Sequence, residues 1–396
     1  MVDANMEPGS RAGRLAMYND NRFKIGMFGA NCSGGRTMTK VPERWSGTWD
    51  ACVTLARLSD DAGLDFILPV ATWKSSGNSE ADYHGEVLET VTWATGILAE
   101  TGRMTVFATV QVPLFHPILA AKQFVTADHV GKGRFGLNVV SGWNPNDFET
   151  FSGMFEDDKA SRYRYAQEWI DAVKLIWSSE DEFNFTGDYI KFKRGKSRPR
   201  PYGGTQPLIV NAGSSPIGQD FAIRNFDIIV TSTDKDSLEA HSAHIEKVRG
   251  LIGTMQRDVG VIGVGGITCR KTAKEAEEYH YYACYEQADW GVIDNLVRLY
   301  TSRFETPPTK EEFEHYRRTF ALGGYGGLMM VGDPDMIAAS FGRCAEAGMG
   351  GIALHMLNYV DEFPLFRDEV LPRLERMGLR QPADAAVQAP GNVSTR

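Results

Sequence analysis

The sequence predicts one α/β domain in which parallel strands and helices alternate and close into a (β/α)₈ TIM barrel with insertions. Short apolar runs alternate with longer amphipathic stretches along most of the 396 residues. The apolar runs are nearly continuous in Val, Ile and Leu, which is typical of strands buried on both faces. Eight such runs can be counted, the number at which a barrel closes on itself. On this pattern alone, an open doubly wound sheet remains the alternative.

The predicted strands determine where in the fold a site can lie. The predicted strands are Phe23–Phe28, Leu64–Val70, Met104–Val110, Arg134–Ser141, Pro207–Gly213, Asp227–Thr233, Val261–Thr268 and Gly351–Leu357. Helical patterns lie between them, such as WDACVTLARLSDDAG and SRYRYAQEWIDAVKLIWSS. Gly63, Gly102 and Gly348 stand where helix C-caps are expected.

Two insertions and two terminal arms complete the predicted organisation. The barrel domain is predicted over residues 21–378, with disordered arms at 1–20 and 379–396. Residues 182–206 predict a small hairpin followed by a Pro/Gly loop, and residues 279–330 form a second insertion rich in aromatic and charged residues. Long insertions in a compact domain are usually lids or subunit contacts when they are ordered.

Composition excludes several classes of function. The formal net charge is −9, and no Lys/Arg cluster attracts nucleic acid or an anionic membrane. No apolar run approaches the roughly 20 residues that span a bilayer. Five scattered cysteines without a CxxC pair predict reduced thiols in the cytoplasm. The eight histidines form no HExxH-type pair, so no metal site is predicted.

Candidate functional residues follow from a rule of barrel architecture. The active site of a barrel is built at the carboxyl ends of its strands. Ala71, Thr72 and Trp73 follow the second predicted strand, Thr109 closes the third, and Asn138 lies near the end of the fourth. Each alone has a structural explanation, such as the β-propensity of Thr. Their convergence at one barrel mouth favours a binding site.

The segment NAGSSPIGQ predicts a phosphate site. A strand, then Gly213, Ser214 and Ser215, then a helix places free backbone N–H groups at a helix N-terminus. A serine at a helix start is also an ordinary N-cap, so this signal is weak by itself. GKGRFG (131–136) has the spacing of a dinucleotide fingerprint, but it precedes a strand instead of following one. We therefore predict no NAD(P)H site.

Several motifs in order carry a resemblance to a known family. GRFGLNVVSGWNPNDFETFSG, SRYRYAQEWIDAVKLIW, the FTGDYI hairpin, the RPRP loop and LIVNAGSS resemble the bacterial luciferase-like flavin-dependent monooxygenases. Within them the chain looks most like the branch of pyrimidine oxygenases, dimethyl sulfone monooxygenases and alkanesulfonate monooxygenases. NCSGG, LAAKQ and GDPDMIAASF also match, so the resemblance extends from about Phe23 to Met377.

The resemblance implies reduced FMN as cofactor, O₂ as co-substrate and specific residues around them. Thr109 and Asn138 match catalytic residues beside the flavin ring, where they flank the meeting point of O₂ and flavin N5; the pair favours oxygen transfer through N5 over C4a. Ala71, Thr72 and Asp147 match other flavin-contacting positions, although relatives often have Glu where Asp147 stands. The residues that match the phosphate end are Arg162, Tyr163, Gly213, Ser214 and Ser215.

Chemistry with reduced flavin and O₂ needs an apolar wall that excludes water and a few placed donors. Thr109 and Asn138 are the expected donors, and Trp73, Phe115 and Trp143 the expected wall of the substrate site. His116 is a candidate substrate contact or acid/base group, against the alternative of a structural histidine at a helix start. His84 has the same two interpretations.

The resemblance also implies partners. Reduced flavin would arrive from a separate NAD(P)H:flavin reductase, and the substrate would be a small organic molecule attacked at a C–S, C–N or C–halogen centre. Relatives favour a homodimer or homotetramer. Two alternatives stay open from the sequence, a flavin-binding protein without catalysis and a deazaflavin-dependent oxidoreductase on the same fold.

Overall fold

A closed parallel barrel forms the body of the chain. The computed structural model describes residues 15–75, 79–142, 144–151, 158–232, 237–302, 306–323 and 327–383. The strands are β1 (Lys24–Phe28), β2 (Phe66–Leu68), β3 (Thr105–Gln111), β4 (Phe135–Val140), β5 (Phe183–Thr186), β6 (Lys191–Gly195), β7 (Leu208–Asn211), β8 (Ile228–Thr231), β9 (Gly260–Cys269), β10 (Leu328–Gly332) and β11 (Gly351–His355). The parallel order β1-β2-β3-β4-β7-β8-β9-β11 closes because β11 pairs with β1. This closure excludes the open sheet and confirms the predicted (β/α)₈ barrel.

Helices follow most strands and cover the outside of the barrel. They are α1 (Trp49–Asp61), α2 (Thr90–Glu100), α3 (Pro117–Val130), α4 (Pro145–Glu149), α5 (Lys159–Ser178), α6 (Pro216–Asn225), α7 (Leu238–Thr254), α8 (Ala273–Tyr281), α9 (Trp290–Thr301), α10 (Lys310–Gly323), α11 (Pro334–Glu346), α12 (Tyr359–Leu365) and α13 (Leu371–Arg376). Side-chain caps begin many of them, such as Ser215 for α6 and Asp158 for α5.

Strand side chains alternate between two buried layers, as the period of a β-strand requires. Inside the barrel, Phe66 and Leu68 of β2 pack in one cluster with residues of β3, β7, β8 and β9. Outside it, Ile25 and Met27 of β1 belong to the cluster that the helices cover. Both faces of the strands are therefore buried, which explains why their sequences are continuous apolar runs.

The N-terminal segment fills the barrel interior from below, which corrects the predicted arm at 1–20. Leu15 and Met17 are buried and belong to the cluster inside the barrel. Asn19 and Asn21 donate to Asp65 Oδ1 over 2.7 and 2.8 Å, just before β2 begins. Residues 15–20 are thus part of the domain, and residues 1–14 lie outside the described residues.

The C-terminal boundary also shifts. Leu379 and Arg380 are buried, and the backbone N–H of Phe23 donates to the Leu379 carbonyl over 2.9 Å. Residues 379–383 of the predicted tail are therefore part of the described domain, and residues 384–396 lie outside the described part of the chain.

We expect Leu15→Ala to lower the free energy of unfolding by about 3 kcal/mol, because it leaves a cavity inside the barrel. Urea denaturation measures the change. Tyr18→Ala in the same turn is the control, since Tyr18 is 41% exposed and surface truncations usually cost less than about 0.5 kcal/mol. Equal losses in the two variants would show that Leu15 does not stabilise the barrel.

Both insertions carry structure. Residues 182–206 contain the antiparallel pair β5–β6. Residues 279–330 contain a π-helical turn (Tyr282–Glu286), α9, α10 and the beginning of β10. Strand β10 was not predicted; it pairs with the C-terminal half of β9, beyond the part that pairs with β8.

The described residues contain free thiols but neither a membrane-spanning helix nor a group of metal ligands. Each of the five cysteines is a buried free thiol, as predicted. In the described parts of the chain, no helix combines the length and apolar character needed to cross a bilayer. No group of three or more His, Cys, Asp and Glu side chains among these residues is placed to hold a metal ion.

Candidate active site

A cleft opens at the carboxyl ends of β2 and β3. Its volume is about 140 Å³, which is below the roughly 300–1,000 Å³ that is usual for sites that enclose a whole small molecule. Its lining comprises Ala71–Trp73 after β2, the segment that leads from His84 into α2, the inward side chains Thr109 and Gln111 of β3, and Phe115. The predicted position of the site at the barrel mouth agrees with this geometry.

Thr109 and Asn138 lie side by side on β3 and β4, in register with each other. The Pro69 carbonyl can only accept, so the Thr109 hydroxyl donates to it over 2.7 Å. The Thr109 oxygen then accepts from Asn138 Nδ2 over 3.2 Å. This chain of bonds leaves Asn138 Oδ1 buried without a hydrogen-bond partner among the described residues.

The chain of bonds changes the chemical role expected for the pair. The sequence analysis expected both side chains to act as donors. Instead, the Thr109 O–H and one N–H of Asn138 are used within the protein, and the polar atom of the pair that has no partner among the described residues is an acceptor. A buried acceptor without a partner is costly, so it fits a ligand N–H group. The flavin ring carries such groups, and the arrangement is therefore compatible with that ring.

The turn after β7 connects the end of that strand to the N-terminus of α6, where the sequence predicts a phosphate site. The Gly213 N–H donates to Asn211 Oδ1 over 2.7 Å, which fixes the turn against the end of β7. A Cβ on Gly213 would lie 2.8 Å from the backbone of Gly218 in α6, so only glycine fits. Ser214 is exposed, and Ser215 caps α6 by accepting from the Gly218 N–H over 3.3 Å. The positive end of the α6 dipole beside an exposed serine suits a phosphate.

Arg162 and Tyr163, predicted at the same end, are half-buried on the first turns of α5. The Tyr163 ring lies 5.3 Å from Phe221 of α6, and a Cβ on Gly218 would be 2.4 Å from the Tyr163 hydroxyl. The tyrosine therefore reaches the first turn of α6. The structure brings Tyr163 to the same helix end as Gly213 and Ser215.

Ala71 and Thr72 line the cleft, whereas Asp147 is outside the lining and forms hydrogen bonds to residues that belong to it. Asp147 is buried, and its Oδ1 accepts from the Trp73 N–H over 3.0 Å and from the Thr72 hydroxyl over 3.2 Å. Its Oδ2 accepts from Gln111 Nε2 over 3.0 Å. Asp147 is absent from the cleft lining. Its observed contacts are thus with the protein, and they hold the loop after β2 in place.

An aromatic wall flanks the cleft. The Trp73 ring lies 5.2 Å from Phe151 and 6.5 Å from Phe115. Trp73 is 40% exposed, so its face is available to a ligand. Trp143, the third predicted member of the wall, lies outside the described residues.

The two candidate histidines have different positions. His116 is exposed and caps α3, accepting from the Ile118 N–H over 3.3 Å. It does not line the cleft, so the structural interpretation accounts for it. His84 does line the cleft, and its Nε2 lies 2.7 Å from the Gly35 carbonyl.

Burial lowers the pKa of His84 to about 4, the hydrogen bond to Gly35 opposes this shift, and the charge of Arg36 adds to it. His355, which ends β11, is also buried, and burial with the charges of Arg36 and His280 lowers its pKa to about 3. Both imidazoles are therefore neutral near pH 7, and neither is suited to donating a proton as a cation.

The lowered pKa of His84 predicts a loss of stability in acid. Between pH 6.5 and 4 the unfolded imidazole binds a proton that the folded one excludes, so stability falls as the pH falls. The full loss is about 3 kcal/mol, reached below pH 4. We expect His84→Asn, which tolerates the positive φ of 57° here, to show a flatter dependence on pH. Urea unfolding at pH 7, 6 and 5 measures it, and parallel curves for the two proteins would contradict the assignment.

Gln111 is a cleft residue that the sequence analysis missed. The predicted strand ended at Val110, whereas β3 continues to Gln111. Residues two apart on a strand share a face, so Gln111 faces inward with Thr109. The spacing of two residues from Thr109 was the signal in the sequence that could have identified Gln111.

Comparison with known proteins supports the same interpretation. The sequence pattern of the family described as luciferase-like monooxygenase matches residues 23–350. An FMNH₂-dependent dimethylsulfone monooxygenase of Pseudomonas fluorescens is 26% identical, over 89% of this chain and 95% of that protein. Pyrimidine monooxygenase RutA of Allorhizobium ampelinum is 26% identical, over 92% of this chain and 100% of that protein.

Among solved structures, riboflavin lyase (RcaE), determined with modified FMN and riboflavin, has a TM-score of 0.78 at 18% identity. The similarity covers 91% of this chain and 93% of that chain, and it supports the fold. The predicted family and the prediction of a flavin-dependent monooxygenase are confirmed. Since the family pattern extends over most of the chain and the barrel mouth is built as described, the chain belongs to the luciferase-like monooxygenase family.

Proposed function

We propose that this chain is the oxygenase of a two-component system, which uses reduced FMN and O₂ to insert one oxygen atom into a small organic substrate. The observation that carries the proposal is the chain of bonds Pro69–Thr109–Asn138, which leaves a buried acceptor beside the cleft. The dimethylsulfone and pyrimidine monooxygenases to which the chain is similar support reduced FMN as the cofactor.

Residues at different positions in the barrel mouth would bind different parts of the cofactor. Ser214 and Ser215 would hold the phosphate through backbone N–H groups at the start of α6, in the turn that Gly213 fixes through its bond to Asn211, and Arg162 and Tyr163 would assist. Thr109 and Asn138 would orient the ring. Bound there, reduced FMN supplies the two electrons that reduce the second oxygen atom of O₂ to water.

The aromatic wall sets the environment of the reaction. Trp73 and Phe115 form an apolar side of the cleft, which limits access of water to the reacting groups. The same wall would contact the substrate, and attack at a C–S, C–N or C–halogen centre is the reaction class that we propose. His84 is neutral and bonded to Gly35, so it contributes shape and polarity to the cleft.

The reduced cofactor is proposed to come from a separate NAD(P)H:flavin reductase. The GKGRFG segment, which has dinucleotide spacing, begins at the C-cap of α3 and ends inside the beginning of β4, so it leads into a strand instead of following one. A homodimer or homotetramer is proposed for the assembly.

The test is a reconstitution with all components and with each omitted in turn. Purified protein, flavin reductase, NADH and FMN are incubated in air with sulfones, sulfonates, pyrimidines and halogenated aromatics, and the products are identified by mass spectrometry with ¹⁸O₂. We expect one labelled oxygen atom in the product only when every component is present. Conversion without reduced FMN, or only with a deazaflavin, would contradict the proposal.

A further inference from the structure

Gln111 occupies a place in the cleft to which no function has been assigned. Its side chain is only 1% exposed, yet it lines the cleft together with Thr109 and Trp73. Its Oε1 atom is buried and has no hydrogen-bond partner among the described residues. Buried polar atoms are nearly always paired, so an unpaired acceptor at the wall of a cleft indicates a missing donor.

The orientation of the Gln111 amide is determined by its neighbours. Nε2 donates to Asp147 Oδ2 over 3.0 Å and lies 3.4 Å from the Ala71 carbonyl. Carboxylate and carbonyl oxygens only accept, so the opposite orientation would place Oε1 against two acceptors. Since Asp147 also holds Thr72 and Trp73, it cannot turn away. Gln111 therefore has its Oε1 acceptor left for a ligand, because its Nε2 donor is bonded to Asp147 and Ala71.

We propose that Gln111 recognises the substrate and that Asp147 positions the Gln111 side chain. The preferred substrate then carries an N–H or O–H donor beside a flat apolar group, which the Trp73–Phe115 wall contacts. This inference rests on the proposed function, because the ligand in question is the substrate of that reaction.

Position assigns Gln111 to the substrate and not to the flavin ring. Thr109, the residue matched to the ring, lies two positions earlier on the same face of β3. At about 3.3 Å per residue, Gln111 lies about 6.6 Å further along β3 in the direction of the barrel opening. Through Asp147 it is bonded to the loop that carries Trp73, a member of the substrate wall.

The chemical consequence is selection between ligands of equal shape. A ligand with a donor pairs with Oε1, whereas a ligand without one leaves that oxygen buried and unpaired. Sites of this kind reject the unpaired ligand strongly. We expect a difference in affinity of about tenfold or more.

Two compounds isolate this effect. Benzenesulfonamide and methyl phenyl sulfone share the aryl sulfonyl group and differ by NH₂ against CH₃. Calorimetric titration into the wild-type protein saturated with oxidised FMN, without reductase, gives the dissociation constant of each. We expect benzenesulfonamide to bind about tenfold more tightly, and Gln111→Met to abolish the preference with little change in FMN affinity.

The control is Gln123→Met in α3, because Gln123 also has a buried Oε1 for which the described part of the chain offers no partner, but it lies outside the cleft lining. It should keep the wild-type preference. Asp147→Asn tests the positioning role, since the introduced amide can donate to Gln111 Oε1 and turn the Gln111 NH₂ group toward the ligand. We expect the preference to fall or reverse.

Three results would overturn the proposal. They are equal or undetectable binding of both compounds by the wild-type protein, an unchanged preference in Gln111→Met, and a Gln111→Met variant that loses FMN affinity instead. If Asp147→Asn kept the wild-type preference for benzenesulfonamide, Asp147 would not be the residue that positions Gln111. No reduced flavin enters the titration, so failure of the oxygenase reaction and failure of this inference are distinguishable.

Discussion

Replacing Asn138 by alanine is expected to lower kcat/KM for oxygenation by about 10²- to 10³-fold, the usual loss when one preorganised polar group is removed from a reacting centre. The variant deletes the buried Oδ1 acceptor and also the group that donates to the Thr109 oxygen. Two polar atoms beside the proposed ring are thereby changed at once. Product formation in the reconstituted system with reductase, NADH and FMN measures the effect.

Asn225→Ala is the matched control for this variant. Asn225 is half-buried at the far end of α6, where it bonds to Gln167, and it does not line the cleft. We expect its kcat/KM to stay within about twofold of the wild-type value, since it touches no reacting group. Wild-type activity in Asn138→Ala would remove the catalytic role from Asn138.

Gly213→Ala is expected to weaken FMN binding by roughly 10- to 100-fold. The added Cβ would lie 2.8 Å from the backbone of Gly218, and a backbone atom cannot yield as a flexible side chain can. The turn must therefore move away from the start of α6, where the phosphate is proposed to bind. Loss of one or two hydrogen bonds to a charged group corresponds to this change in affinity.

Fluorescence titration with FMN measures the dissociation constant. Gly250→Ala in α7 is the control, because a Cβ there has no neighbour within 4 Å. It should leave FMN affinity unchanged. If Gly213→Ala bound FMN as tightly as the wild-type protein, the phosphate would have to lie elsewhere.

The barrel could be predicted from sequence because its strands are buried on both faces. Helices cover them outside and other side chains fill the interior, so each strand is a continuous apolar run that stands out from the helices. Strand β10 escaped prediction because its burial alternates and it pairs only with the end of β9. The N-terminal segment escaped because Leu15 and Met17 belong to an apolar run of only four residues, LAMY, which is too short to predict an element.

The candidate site could be predicted where strand order alone decides position. Thr109 and Asn138 lie near the carboxyl ends of β3 and β4, and Gly213–Ser215 follow β7, so all of them lie on the side of the barrel that the strand order indicates. Hydrogen-bond direction could not be predicted, because it depends on neighbours that are distant in sequence. Asp147 illustrates this, since it lies 36 residues from Gln111 along the chain and 75 from Thr72.

Two further corrections have the same origin. His116 was a candidate acid/base group, but its ring caps α3 on the outside of the cleft. Gln111 was overlooked because the end of a strand cannot be located to one residue from an apolar pattern. In both cases tertiary contacts decide the role.

A crystal structure of the protein with FMN tests the central claim most directly, namely that one barrel mouth holds the ring and the turn after β7 holds the phosphate. We predict phosphate oxygens within about 3 Å of backbone nitrogens in the Gly213–Ser215 turn, with the ring against Thr109 and Asn138. FMN bound at any other place, or a phosphate away from the start of α6, would contradict the account.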